Sequence, residues 1–281
     1  MTTPESTRNA PVIDAIPPPE IARKVEALGV TKANTDTVTL LALSVLAGAF
    51  ISLGAILFTV VVTGSSLGFG PTRLLGGASF CLGLVLVIVA GAELFTGNNL
   101  IAIAWASRRI GTGALLRNWG IVYLGNVLGC VATALLVAAA GTDAMGGGEV
   151  GRTARAIAEG KIALSPTEAF ARGVLCNALV CLAVWLALGG RSVVDKIAAV
   201  FFPVTAFVTL GFEHSIANWM FLAYAFCLDR AAEPATVELA PALASLLWVT
   251  LGNIVGGTLL VAAVYWLAYL RPERRRVDRP R

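Results

Sequence analysis

The chain has 281 residues, of which 57% are hydrophobic and only 14% charged, with a mean hydropathy of +0.80. Soluble domains carry about 25% charged residues, so a soluble fold of this size is excluded, as are collagen, coiled-coil and disordered classes. The formal net charge of +4 is concentrated in the C-terminal segment RPERRRVDRPR, a basic tail suited to anionic lipid rather than nucleic acid.

Taken in chain order, residues 1–36 are polar, without the early apolar run of a cleavable signal. Within them PPPEIARKVEALGV predicts a short amphipathic helix at the cytoplasmic membrane face. Pro17–Pro19 start it, and Ile21, Val25 and Leu28 recur at helical spacing. Six apolar stretches follow: 39–62, 74–106 (interrupted by Glu93), 119–140, 173–190, 197–228 (interrupted by Glu213) and 239–270. Each exceeds or approaches the ~20 residues needed to cross a bilayer. The expectation is an all-α membrane protein with six transmembrane helices. A transmembrane domain over 37–270 lies between the N-terminal segment and a tail at 271–281.

Six crossings put both termini on one side. With the termini inside, fifteen lysines and arginines lie inside and six outside. The positive-inside rule then predicts a multi-pass protein of the inner or plasma membrane with both termini cytoplasmic.

Two motifs recur. GAELFTGN (91–98) and GFEHSIAN (211–218) share G-x-E-x-x-x-x-N, 120 positions apart; VYLGNVLG (122–129) and VTLGNIVG (249–256) share V-x-L-G-N-x-x-G, 127 apart. Two matches in the same order predict an internal repeat, with halves of about 37–140 and 165–270. Each half has an odd number of crossings, so the second is inverted in the membrane, and a site is expected at the repeat interface. The second and fifth stretches are also expected to be broken. A straight helix over 74–106 would run ~50 Å against a ~30 Å hydrocarbon core, and each stretch carries a carboxylate beside glycine. Broken helices expose backbone groups, which is tolerated only inside protein or beside a watery cavity. They also present positive dipole ends to an anion.

His214 is the chain's one histidine and sits at the predicted break, where an intramembrane ionisable group points to function. A hydrogen-bonded structural role is the alternative. Glu93 and Glu213 are expected as structural carboxylates accepting freed backbone N–H groups, or as proton relays. Thr96 offers a hydroxyl. Asn126, Asn177 and Asn253 are expected to join helices. Lys161 and Arg172 read as interfacial cations. Cys81, Cys130, Cys176, Cys181 and Cys227 lie in apolar runs as small hydrophobes. No clustered metal ligands, P-loop or nucleophile triad is present in the sequence, so neither metal nor cofactor is expected, and an enzyme or structural subunit is a remote alternative.

GAELFTGNN, GRSVVDK (190–196), GFEHSIAN and LGNIVGG (251–257), with NWGIVYLGNVLG and CNALVCLAVW, resemble the formate/nitrite transporter family over nearly the whole chain. The resemblance implies an aquaporin-like fold of six helices, two of them broken, assembled as a homopentamer with one pore per protomer. It implies transport of a small monovalent anion, formate first, with nitrite, hydrosulfide or another short carboxylate as alternatives. It assigns His214 as the central histidine, with or without proton transfer, and Thr96 as the threonine on the broken second helix. Phe80, Leu84 and Phe207 are implied as one apolar constriction; Leu94, Phe95 and Val180 as the other. Asn177 is implied near the pore, and Lys161 as an anion-attracting residue at the outer mouth. Arg172 stands where the formate channels of the family carry an apolar residue.

Overall fold

The computed structural model describes residues 15–229 and 237–271, and the described residues are almost entirely helical. Most of the basic tail, Arg8 and Arg230 lie outside the described residues. Helix α1 (Pro18–Asn34) is followed by α2 (Thr37–Val62), capped by Asp36, whose carboxylate accepts the Thr39 N–H at 3.0 Å. Helix α3 (Phe69–Gly91) closes in a π turn. The chain resumes as α4 (Phe95–Asn98), a 3₁₀ turn and α5 (Ala102–Ala106). Then come α6 (Thr112–Ala139), α7 (Glu149–Ile162), α8 (Pro166–Gly189), α9 (Val193–Thr209), α10 (Ser215–Asp229) and α11 (Leu239–Leu270), the last wound partly as π turns. Helices α8 and α9 begin with reciprocal caps, Ser165 with Glu168 and Ser192 with Asp195.

Among the described residues five helices are long and apolar enough to cross a membrane: α2, α3, α6, α8 and α11. The expected span over 197–228 is divided between α9 and α10, and neither half is long enough alone. Two amphipathic helices, α1 and α7, pack on the bundle. Helix α1 forms over the expected residues and packs its apolar stripe on protein: Ile21, Ala22 and Val25 lie with Leu100, Ile103, Cys181 and Trp185. Helix α7 likewise buries Val150, Ala154 and Ala158.

Glycine sets how closely the spans approach. A Cβ on Gly48 of α2 would collide with the Asn126 backbone of α6, and one on Gly252 of α11 with the Phe170 carbonyl of α8. Apolar surface gives little drive for association in lipid, so contact of this kind, together with buried hydrogen bonds, holds the bundle.

Candidate functional site

The two carboxylate-bearing stretches break in the same way. α3 stops at Gly91, φ 89°, and 92–94 run without helix before α4. α9 gives way to Gly211, φ 72°, and 212–214 run free before α10. Both glycines occupy the left-handed region that a Cβ disfavours. Each break leaves backbone donors without helical partners, and the same set of acceptors takes them up. The Glu93 N–H donates to the Leu43 carbonyl at 3.2 Å and the Glu213 N–H to the Arg172 carbonyl at 3.3 Å. Asn126 accepts the Phe95 N–H at 2.9 Å and donates to the carbonyls of Ser44 and Glu93. Asn253 accepts the Ser215 N–H at 2.9 Å and donates to the carbonyls of Gly173 and Glu213. The two LGN motifs are therefore clamps on the breaks, a more specific role than joining helices.

The carboxylates do not accept freed backbone N–H groups, as the sequence reading expected. Glu93 pairs with Lys32 Nζ at 2.9 Å and accepts from Asn98 Nδ2 at 2.7 Å. Glu213 pairs with Lys161 Nζ at 2.8 Å and accepts from Asn218 Nδ2 at 2.7 Å. Each lysine comes from the amphipathic helix ahead of its half, α1 or α7. An ionised carboxylate at this depth would be costly alone, and the cation offsets it. Lys161 is 12% exposed on its side chain and lies 5.0 Å from the centroid of the Phe221 ring. It is a paired charge that also lines one of the two cavities of the site.

His214 and Thr96, from opposite breaks, meet. Thr96 Oγ1 lies 2.9 Å from His214 Nε2, and both residues are buried. The Ala217 N–H donates to His214 Nδ1 at 3.1 Å. Nδ1 is thus an acceptor, and Nε2 carries the hydrogen and donates it to Thr96.

Two cavities flank this pair. One, of about 360 Å³, is lined by Lys32, Leu84, Glu93, Leu94, Asn98 and Lys196. The other, of about 230 Å³, is lined by Arg73, Phe80, Lys161, Arg172, Phe207 and His214. Phe80 and Phe207 meet edge-on with centroids 5.9 Å apart, and Phe207 stacks on the His214 ring at 6.0 Å. Arg73 anchors its corner by donating from Nε to the Thr209 carbonyl at 3.2 Å and from Nη2 to that of Val208, at the end of α9. An anion in the second cavity would face three cations against one carboxylate, with an apolar floor beneath it.

The profile of the formate/nitrite transporter family matches residues 19–267. The chain belongs to this family. It is 38% identical over 273 residues to formate channel FocA of Escherichia coli strain K12, covering 92% of this chain and 96% of that one. It is 38% identical over 277 residues to a probable formate transporter of Methanothermobacter thermautotrophicus, covering 90% and 97%. Among solved structures, a pentameric formate channel with formate bound matches with a TM-score of 0.78 at 38% identity, covering 83% of this chain and 98% of that chain. An FNT family ion channel matches with a TM-score of 0.80 at 31% identity, covering 89% and 98%. The family is one of membrane transporters, and the apolar helices of this chain make it a multi-pass membrane protein.

Within this family frame the expected pore residues separate into three places. Phe80, Phe207 and His214 line the second cavity, whereas Leu84 joins Leu94 at the first. Phe95 packs edge-on against Trp119 and Tyr123, and Val180 is buried; neither lines these two cavities. Asn177 donates to Asn99 Oδ1 at 2.8 Å and to the Asn253 carbonyl at 2.7 Å, tying α8 to the turn after the first break and to α11. Lys32, Arg73, Asn98 and Asn218 were missed. The pairing of Asn98 and Asn218 was visible as the last position of the G-x-E-x-x-x-x-N repeat. Lys32 and Arg73 had no sequence signal, because their partners lie 61 and 136 positions away.

Proposed function

We propose that this protein conducts formate, or a closely related small monovalent anion, through a pore within each protomer of a homopentamer. The observation that carries the reading is the Thr96–His214 pair at the junction of two broken helices, between two cavities that each hold a lysine and an apolar wall. An anion alone would lose its hydration at Phe80, Phe207, Leu84 and Leu94 at large cost. The donors of His214 and Thr96 replace part of that hydration.

His214 in its neutral tautomer acts as a hydrogen-bond donor. To hand a proton to the anion it first has to accept one at Nδ1, and that requires breaking the Ala217 bond. Formate's name in several relatives favours it over nitrite. The repeated clamps of Asn126 and Asn253 support two halves in inverted orientation with six crossings, and the basic asymmetry supports cytoplasmic termini.

The test is flux in proteoliposomes containing this protein alone, with formate, nitrite, hydrosulfide and lactate compared. Unmodified formate moving fastest is the expected result; a chemically altered product, or no movement of any of them, overturns the reading. Single-cysteine labelling with an impermeant reagent checks the orientation, with the C-terminal tail expected to be protected from outside.

A further inference from the structure

We infer that the groove where α5 turns into α6 binds the phosphate of an anionic membrane phospholipid through Arg108. Helix α5 ends with the Arg108 N–H donating to the Trp105 carbonyl at 2.8 Å and the Arg109 N–H to that of Ala104 at 2.9 Å. In this closure the residue at Arg108 takes a left-handed backbone, normally glycine or asparagine. Arg108 has φ 56° and is the one non-glycine residue with positive φ among the described residues. The position keeps an arginine where the backbone would prefer none.

The groove it edges has a volume of about 640 Å³ and is also lined by Trp105, Arg109, Ile110, Thr112 and Trp266, within the ~300–1,000 Å³ of small-molecule sites. Its other donors are engaged. Trp105 Nε1 donates to Thr112 Oγ1 at 3.0 Å, Trp266 Nε1 to Ser107 Oγ at 3.1 Å, and Arg109 pairs with Glu26 at 3.5 Å. The exposed Arg108 guanidinium has no ion pair or hydrogen bond among the described residues, so the groove presents one free cation in a wall that also carries two indoles.

Its place in the fold selects the anion. Span α6 begins at Thr112 and span α11 ends at Leu270, so the groove sits at the membrane boundary, where tryptophan is favoured. The spans leaving it carry exposed Leu116, Val264 and Leu267, a surface for acyl chains. A free anion would use the guanidinium alone; a phospholipid uses both. The inference is independent of the transport mechanism and needs only that α6 and α11 span the bilayer.

The test is native mass spectrometry of the purified oligomer offered equimolar phosphatidylglycerol and phosphatidylcholine. One arginine near a lipid surface predicts about a five-fold preference for phosphatidylglycerol. Arg108→Gly suits the left-handed backbone, so its melting temperature in detergent is expected to equal or exceed the wild type while the preference falls to parity. Arg108→Lys is expected to keep part of it. If the glycine variant does not assemble, Arg108→Gln is read in its place. Equal retention of both lipids by the wild type, as when a second copy of the chain covers the groove, overturns the inference. So does an undiminished preference in Arg108→Gly, or full displacement of phosphatidylglycerol by soluble glycerol phosphate.

Discussion

The backbone N–H of Ala217 donates to Nδ1 of His214 at 3.1 Å, and this bond decides which end of the imidazole carries hydrogen. Nε2 is left as the donor toward Thr96 Oγ1, 2.9 Å away on the other broken helix. The two breaks therefore communicate through a single oriented hydrogen bond. A buried imidazole, a buried hydroxyl and the first turn of α10 are tied into one unit.

If that unit supplies donors to the passing anion, its members do not act additively. His214→Asn and Thr96→Val are each expected to lower formate flux about ten-fold, the loss of one buried hydrogen-bonding partner. The double variant should be little worse than either single one. Flux measured with and without a pH gradient separates the roles of His214. Equal gradient dependence in wild type and His214→Asn would leave it as a donor without proton transfer.

The two lysine–glutamate pairs differ in burial, and so should the consequences of breaking them. Lys161 and Glu213 are 12% and 7% exposed, against 31% and 13% for Lys32 and Glu93. Lys161→Met leaves a buried carboxylate without its cation, an expected cost of about 3–5 kcal/mol, and Lys32→Met should cost less. Adding Glu213→Gln to Lys161→Met should restore most of the lost stability. Thermal melts of the purified oligomers would show it; equal melting of the two single variants would contradict it.

Asn126 and Asn253 each hold a break with one accepted and two donated hydrogen bonds. Replacement by leucine keeps the volume and removes all three, at about 1 kcal/mol each. Flux is expected to vanish in both variants, because the donors at Phe95 and Ser215 lose their acceptor. Hydrogen exchange would locate the opening at 92–98 in one variant and 212–218 in the other.

Substituting the glycines between spans tests packing without touching polar groups. Gly252→Val places side-chain atoms against the Phe170 carbonyl. Overpacking typically costs 1–3 kcal/mol, and more is expected here because the obstacle is backbone. Gly113→Ala, at a position with open space around it, should be silent. Comparison of oligomer yield after detergent extraction is sufficient.

A low-pH test falls on Asp195, outside the spans. It accepts the N–H groups of Ser192 and Arg191, both at 2.9 Å, and these hold its carboxyl below the ordinary 3.8. A depressed folded value means the stabilisation is complete above the unfolded pKa and is lost as pH falls through the folded one. Asp195→Asn is expected to flatten the fall in melting temperature below about pH 4 while changing little at neutral pH.

Composition and periodicity were enough to establish a helical membrane protein, because a chain with so little charge and such long apolar runs has no other way to satisfy its backbone in lipid. The paired motifs around Glu93 and Glu213 were enough to place both breaks, because glycine, a carboxylate and asparagine at one spacing are rare inside an apolar run. The partners of those carboxylates were decided only in three dimensions. Lys32 and Lys161 look like ordinary residues of surface helices until α1 and α7 fold back onto the breaks, and nothing local marks that contact. The same holds for the constrictions. Phe80 and Leu84 are one helical turn apart and share a face in sequence, yet α3 carries them to different cavities. Phe95, implied by the family resemblance as a constriction residue, packs edge-on against Trp119 and Tyr123 of α6, a contact that nothing in its local sequence marks. Helical spacing says which residues share a face; only the packing of neighbouring helices says what that face meets.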